Sequence, residues 1–293
     1  MIFFSNVIQT FGKGVDVRQQ VIATALVYFK RFYSCYSLKT IDPWLMSPAC
    51  LFLASKIEEF GVISQKVLMN TCKNVVQSLY STYFGDSSYP YRPVDVLECE
   101  FILLETLDCS MVIFHPYRSL LGFLEDLKPE INQQHEVILQ KTWKIINDSY
   151  KTDLCLFYPP FLIALGALMI GVSMLVNQGG PKNENYSNLS NIFENWFSEL
   201  QVDLDSILEV SRCIMNLYHV LNRFDETVEM PKILANIPKP TIAQANSSGA
   251  QASNQIPNNS SHQIINNQGN KNNLAINPPL QNNQQTANKH FMN

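Results

Sequence analysis

The chain has 293 residues, 46% of them hydrophobic and 16% charged, a composition that can bury a sizeable core and excludes disorder of the whole chain. Its formal net charge of −4 counts against a protein that grips phosphate backbones, because that affinity comes from clustered Lys and Arg. The partner expected is another protein or a small molecule, with no direct contact to nucleic acid.

Helical periodicity runs along the chain without a run of alternating β-branched residues, so the expected fold class is all-α. The apolar start MIFFSNVIQTF has no basic leader and no small-residue cleavage site, which argues against a signal peptide and predicts a helix over 2–11. Further helices are predicted at 17–35, 44–59, 64–79 and 92–107, then at 116–127, 135–151, 160–176, 190–200 and 204–223. These ten divide into halves. SPACLFLASK (47–56) and FLIALGALMI (161–170) are both rich in small residues, and each follows a proline-marked turn, at Asp42-Pro43 and Pro159-Pro160. A long aromatic-containing helix precedes each, and a shorter then a longer helix follow. The organisation expected is two tandem five-helix repeats, 1–112 and 113–230, joined near Met111–His115.

Residues 154–176 carry no charge and are long enough to cross a bilayer. Pro159-Pro160 interrupts the run, however, and leaves about 17 helical residues, roughly 25 Å at 1.5 Å per residue. Ala164, Ala167 and Gly171 recur at helical spacing, as in a helix that neighbours approach closely. The expectation is a buried central helix and no membrane partner. Beyond Pro240, roughly two-fifths of the residues are Asn or Gln, too polar to offset their ordering entropy, so 231–293 is read as an extended and disordered tail. NQGGPKNENYSN (177–188) reads as a loop with the same bias.

Motifs for chemistry are absent from the sequence. Gly12-Lys13-Gly14 lacks the spacing of a phosphate loop, and no GxGxxG, HExxH or GxSxG occurs. The five histidines are isolated; His115 precedes Pro116 at the joint, and none has a His, Cys or carboxylate at ligand spacing. Cys35, Cys50, Cys72, Cys99, Cys109, Cys155 and Cys213 are scattered singly and read as reduced residues of an intracellular protein. No catalytic residue, metal or cofactor is expected, and the protein is read as not an enzyme.

One charge stands out of place. On the 92–107 helix, Leu97, Leu103, Leu104 and Leu107 form an apolar arc with Glu100 inside it, while Glu98 and Glu105 lie opposite. A carboxylate in an apolar stripe costs several kcal/mol unless it is paired or later covered. Lys56, at the edge of the arc formed by Ala49, Cys50, Leu53 and Ile57, is the natural counterpart. Pattern alone favours the plain reading, in which Lys56 snorkels and Glu100 caps a buried donor. The other reading has both charges converge on one exposed patch. Aligned by eye, the second repeat has Ser173 opposite Lys56 and Ser211 opposite Glu100, and so lacks the pair. In INDSYKTD (146–153), Asp148 points away from the core-facing Trp143, Ile146 and Tyr150. It reads either as a solvated acid or as a docking residue.

LASKIEEF and LECEFILLETLDC, with VYFKRFYSCYSLKTIDP ahead of them, resemble the cyclin box, and HPYRSLLGFL, INDSYKTDLCLFYPPFLIAL and MPKILANIPKP continue the likeness to about residue 240. The match is with the cyclin family, nearest to its Mediator kinase-module members. The resemblance implies two cyclin folds without catalysis and a nuclear regulatory subunit that binds and activates a transcriptional cyclin-dependent kinase, beside other Mediator kinase-module subunits. It places the kinase-binding residues at Lys56 and Glu100, with Leu53, Ile57, Glu58, Glu59 and Leu104 around them, and leaves Asp148 as a possible Mediator contact. With the resemblance added, the exposed-patch reading of the charge pair is preferred. Three departures accompany it: the chain begins where the first box helix is already under way, IFFSNV does not reproduce the hydrophobic docking motif of cell-cycle cyclins, and Lys30 stands where many cyclins carry Asp. Paired cyclin-like repeats also occur in transcription factors that bind DNA; that alternative requires a basic face.

Overall fold

The computed structural model describes residues 1–61, 63–81, 89–131, 134–179 and 184–234. Twelve helices are found among them: α1 Ile2–Gly14, α2 Gln19–Cys35, α3 Pro43–Ile57, α4 Gln65–Leu79, α5 Pro93–Thr106, α6 Pro116–Ile131, α7 His135–Ser149, α8 Leu154–Phe157, α9 Pro160–Gly179, α10 Glu184–Glu199, α11 Leu204–Arg223 and α12 Glu226–Leu234. The short α8 and the late α12 add to the ten helices expected. α12 occupies part of the segment read as tail, and the Asn/Gln-rich remainder, 235–293, lies outside the described residues. Both ends of the stretch 177–188, read as loop, are helical because α9 runs to Gly179 and α10 starts at Glu184.

Each repeat is built around one helix that the others enclose. α3 packs on α1, α2, α4 and α5, and α9 packs on α6, α7, α10 and α11. α3 is buried almost continuously from Pro43 to Ser55. Its start is well determined: Asp42 accepts a hydrogen bond from Trp44 N at 3.0 Å, and Pro43 occupies the first turn, where its missing N–H costs nothing. Pro48 lies deeper in the helix and cannot donate to the carbonyl of Trp44. Tyr89 Oη donates to that carbonyl at 2.8 Å, so the buried acceptor is satisfied from outside the helix.

α9 is apolar on all sides, with a mean hydropathy of 2.0 over Pro160–Asn177, and passes a length-and-composition test for a membrane span. In the fold it is the enclosed centre of the second repeat, and 56% of that window is buried. Glycines let its neighbours approach. A Cβ at Gly166 would stand 2.6 Å from Val210 Cγ1 on α11, and one at Gly171 would stand 2.7 Å from Thr142 Oγ1 on α7. Ser211 Oγ reaches the carbonyl of Gly166 at 3.2 Å and its own Ile207 carbonyl at 2.9 Å.

Gly166→Ala should force α9 and α11 apart, because Val210 is a stiff β-branched residue and fully buried. A loss of about 1–3 kcal/mol is expected from overpacking in chemical denaturation, against little change for Gly122→Ala, where a Cβ meets nothing within 4 Å.

Candidate functional site

The apolar stripe of α5 is turned slightly from the arc expected. Val96, Cys99, Glu100 and Leu103 are its buried residues, while Leu97 and Leu104 are half-buried. Glu100 therefore lies in the middle of the stripe and needs a partner all the more. It has one in the same chain: Lys56 Nζ donates to Glu100 Oε1 at 2.6 Å and to Oε2 at 2.9 Å. Lys56 also stands 4.1 Å from the ring centroid of Phe52, one turn back on α3. The Glu100 side chain is 8% exposed and that of Lys56 34%. The ammonium has three protons, so two are committed to the carboxylate and the third has access to the opening.

The other residues expected here divide. Ile57 and Leu104 are half-buried, and Glu59 is exposed. Leu53 is not available at the surface; at 3% exposure it belongs to the core. Glu58 points the other way. Its carboxylate accepts from Gln20 Nε2 at 2.6 Å and from Thr24 Oγ1 at 2.5 Å, both on α2. The turn that separates the acids is a Schellman ending, with Phe60 N bonded to the Ser55 carbonyl at 3.3 Å and Glu59 at φ +50° in the position glycine usually takes. α5 closes in the same way, with Asp108 and Cys109 at φ +47° and +55°.

Glu58 leads into the joint between the repeats. His115 Nε2 stands 2.7 Å from Thr24 Oγ1 and His115 Nδ1 stands 2.5 Å from Tyr150 Oη. Tyr28 Oη donates to the Met111 carbonyl at 2.5 Å. Lys30, 1% exposed, donates to Asp153 Oδ1 at 2.9 Å, and Asp153 is 56% exposed. A buried ammonium on the first repeat is thus held by a carboxylate of the second, which is the structural reason for the lysine in α2.

Profiles of known families match the chain twice, the cyclin N-terminal domain over residues 4–112 and the cyclin C-terminal domain over residues 115–218. The chain belongs to the cyclin family. Cyclin-C of Rattus norvegicus is 48% identical over 88% of this chain and 86% of its own, and cyclin-C of Caenorhabditis elegans is 33% identical over 78% and 74%. Among solved structures, a chain of the yeast TFIIK complex superposes with a TM-score of 0.54 at 26% identity, covering 73% of this chain and 84% of that one. A chain of the CAK complex of Chaetomium thermophilum gives 0.59 at 21% identity, over 80% and 70%, and shares the fold.

On the second repeat of this cyclin, Asp148 is not a free acid. It accepts from Tyr218 Oη of α11 at 3.3 Å and pairs with Lys151 at 3.0 Å, with its side chain 32% exposed. Ser211 faces the central helix as Glu100 does, but its partner is Gly166; Ser173 is exposed. One surface feature was not expected: Phe101 and Ile102 on α5 are 72% and 41% exposed, on the helix face that also carries Glu98 and Glu105. An aromatic in the polar arc of α5 was the signal. Among the described residues, no group of three His, Cys, Asp or Glu side chains could hold a metal ion. Burial pushes the Cys50 and Cys72 thiols up, and that of Cys99 to about 12, so these sulfurs stay protonated and inert.

Burial lowers the pKa of His115 to about 4, outweighing the Glu58 carboxylate 3.8 Å away. In the unfolded chain a histidine protonates near 6.5, so between about 4 and 6.5 the unfolded state binds more protons. Stability should therefore be complete above pH 6.5 and fall as pH drops through that window, by on the order of 3 kcal/mol. Melting curves recorded from pH 7 to 4 should show this loss, and His115→Gln should lack that component.

Proposed function

We propose that this cyclin is a non-catalytic regulatory subunit that binds and activates a transcriptional cyclin-dependent kinase in the nucleus, as part of the Mediator kinase module. The observation that carries the reading is the Lys56–Glu100 pair: a carboxylate sunk in an apolar stripe, a lysine still one-third open, and exposed Phe101 on the same helix. An exposed aromatic beside a part-open charge pair is a surface that a partner completes, and such pairs set orientation and register more than raw affinity. Cyclin-C relatives and the likeness to a chain of the TFIIK complex support the same conclusion. Activation would work by population shift, with the cyclin binding the kinase conformation in which the αC helix is swung in and its glutamate meets the catalytic lysine. The net charge of −4 counts against the DNA-binding alternative. The groove of about 680 Å³ between α9, α10 and α11 is lined mainly by apolar residues and serines, with Glu194 its one carboxylate among the described residues, which gives no support to catalysis.

Two experiments test this reading. Lys56→Ala and Glu100→Ala should each weaken binding to the kinase recovered with the full chain by ~2–5 kcal/mol, because each strands its partner in the interface, while the melting temperature of the free cyclin changes less. Normal activation at limiting concentration would remove the pair from the interface. In the proposed division of labour, repeat 1–112 meets the kinase and repeat 113–230 meets other Mediator subunits near Asp148. Asp148→Asn, which keeps an acceptor for Tyr218, should leave kinase pairing intact and reduce Mediator association in a pull-down. Equal loss of both, or of neither, would refute the division.

A further inference from the structure

Gln20, Thr24 and Tyr28 are four residues apart on α2 and so share one face. Each ends on a group at or near the joint: Gln20 and Thr24 on Glu58, Tyr28 on the Met111 carbonyl. Thr24 has a single proton, and a carboxylate only accepts, so the hydroxyl donates to Glu58 Oε1. Its oxygen must then accept from His115 Nε2–H. That assignment makes the neutral imidazole the Nε2–H tautomer and leaves Nδ1 to accept from the Tyr150 hydroxyl. Each donor is used once, and the chain of bonds has one direction, from Tyr150 on the second repeat to Glu58 at the end of α3.

We propose that Glu58 is a positioning residue for kinase binding: through Thr24, His115 and Tyr150 it ties the last turn of α3, which carries Lys56, to the second repeat, and it does not touch the kinase. This rests on the kinase-binding reading of Lys56 and Glu100. Both Glu58 oxygens are already engaged, and its side chain is 12% exposed, so a partner would have to break two short bonds to use it. Lys56 is two residues away on the same turn, so a change in the set of the helix end moves its ammonium relative to Glu100. Thr24 is fully buried, and a substitution there reaches the kinase only through this chain.

A double-mutant cycle separates contact from positioning. With the full chain and the purified kinase recovered with it, Thr24→Val and Glu58→Ala should each weaken binding about tenfold, and the double variant also about tenfold, not about a hundredfold. Glu58→Gln, whose amide carbonyl still accepts from Thr24, should recover most of the affinity. Losses that multiply would show that Glu58 meets the kinase and overturn the proposal, as would unchanged binding of Glu58→Ala. Lys56→Ala is measured alongside: if it binds normally while Thr24 and Glu58 remain coupled, the charge-pair reading fails and the coupling stands. Nitrogen NMR of His115 in the free chain gives an answer that needs no kinase. The Nε2–H tautomer is expected, disturbed by Thr24→Val and by Glu58→Ala, and an Nδ1–H tautomer in the parent would overturn the chain of bonds.

Discussion

A helix enclosed on every side has no polar face, so any charge it carries must collect at an end. α3 obeys this constraint, with nearly continuous burial from Pro43 to Ser55 followed by Lys56, Glu58 and Glu59 within four residues. The three charges leave the helix end in three directions: Lys56 to Glu100 on α5, Glu58 to α2 and the joint, and Glu59 to solvent. The Schellman ending makes that divergence possible, because a left-handed residue at 59 reverses the chain immediately after the last turn. Strain of order 1–3 kcal/mol for a non-glycine residue in that conformation is offset by the packing of the enclosed helix.

The second repeat meets the same constraint without charges. α9 is enclosed by four helices as α3 is, and where α5 brings a carboxylate to its central helix, α11 brings Ser211 to the backbone of Gly166. A glycine opposite a serine allows close approach and needs no ionic partner. The fold thus stands with or without the pair, which makes Lys56–Glu100 a poor explanation of stability. Part-buried ion pairs are in any case weak contributors, since desolvation offsets most of the Coulomb gain. That is consistent with the proposed role in recognition, for which the first repeat alone carries the pair.

Fold class and repeat order were legible because they depend on periodicity and punctuation. The enclosed helices are uniform apolar runs, and proline turns mark their starts at Asp42-Pro43 and Pro159-Pro160. The pairing of Lys56 with Glu100 was legible for a related reason, since a carboxylate in an apolar stripe demands a partner wherever the stripe lies. Orientation was not legible. Leu53 and Glu58 follow the same local pattern as Ile57 and Glu59; enclosure of α3 buries Leu53, and the turn after Lys56 sends Glu58 to α2 and leaves Glu59 exposed. The bond from Tyr218 to Asp148 left no mark in the local pattern, because Tyr218 is 70 residues away on α11. The glycine contacts at Gly166 and Gly171 likewise depend on which helices meet, which single-helix periodicity does not encode.

The joint between the repeats combines two kinds of bond with different consequences. Lys30–Asp153 places a fully buried ammonium against a carboxylate that is more than half exposed, so water can approach the acid while the lysine has no substitute for it. The Thr24–His115–Tyr150 chain is neutral along most of its length and is buried, and it tolerates only one arrangement of protons. Charge attraction falls off slowly with distance and direction, whereas hydrogen bonds weaken steeply once bent. The ion pair therefore tolerates small shifts between the repeats, whereas the hydrogen-bonded chain is weakened by them. Since that chain ends two residues from Lys56, under the proposed kinase-binding role the repeat without the charge pair would help to set the geometry offered to the kinase.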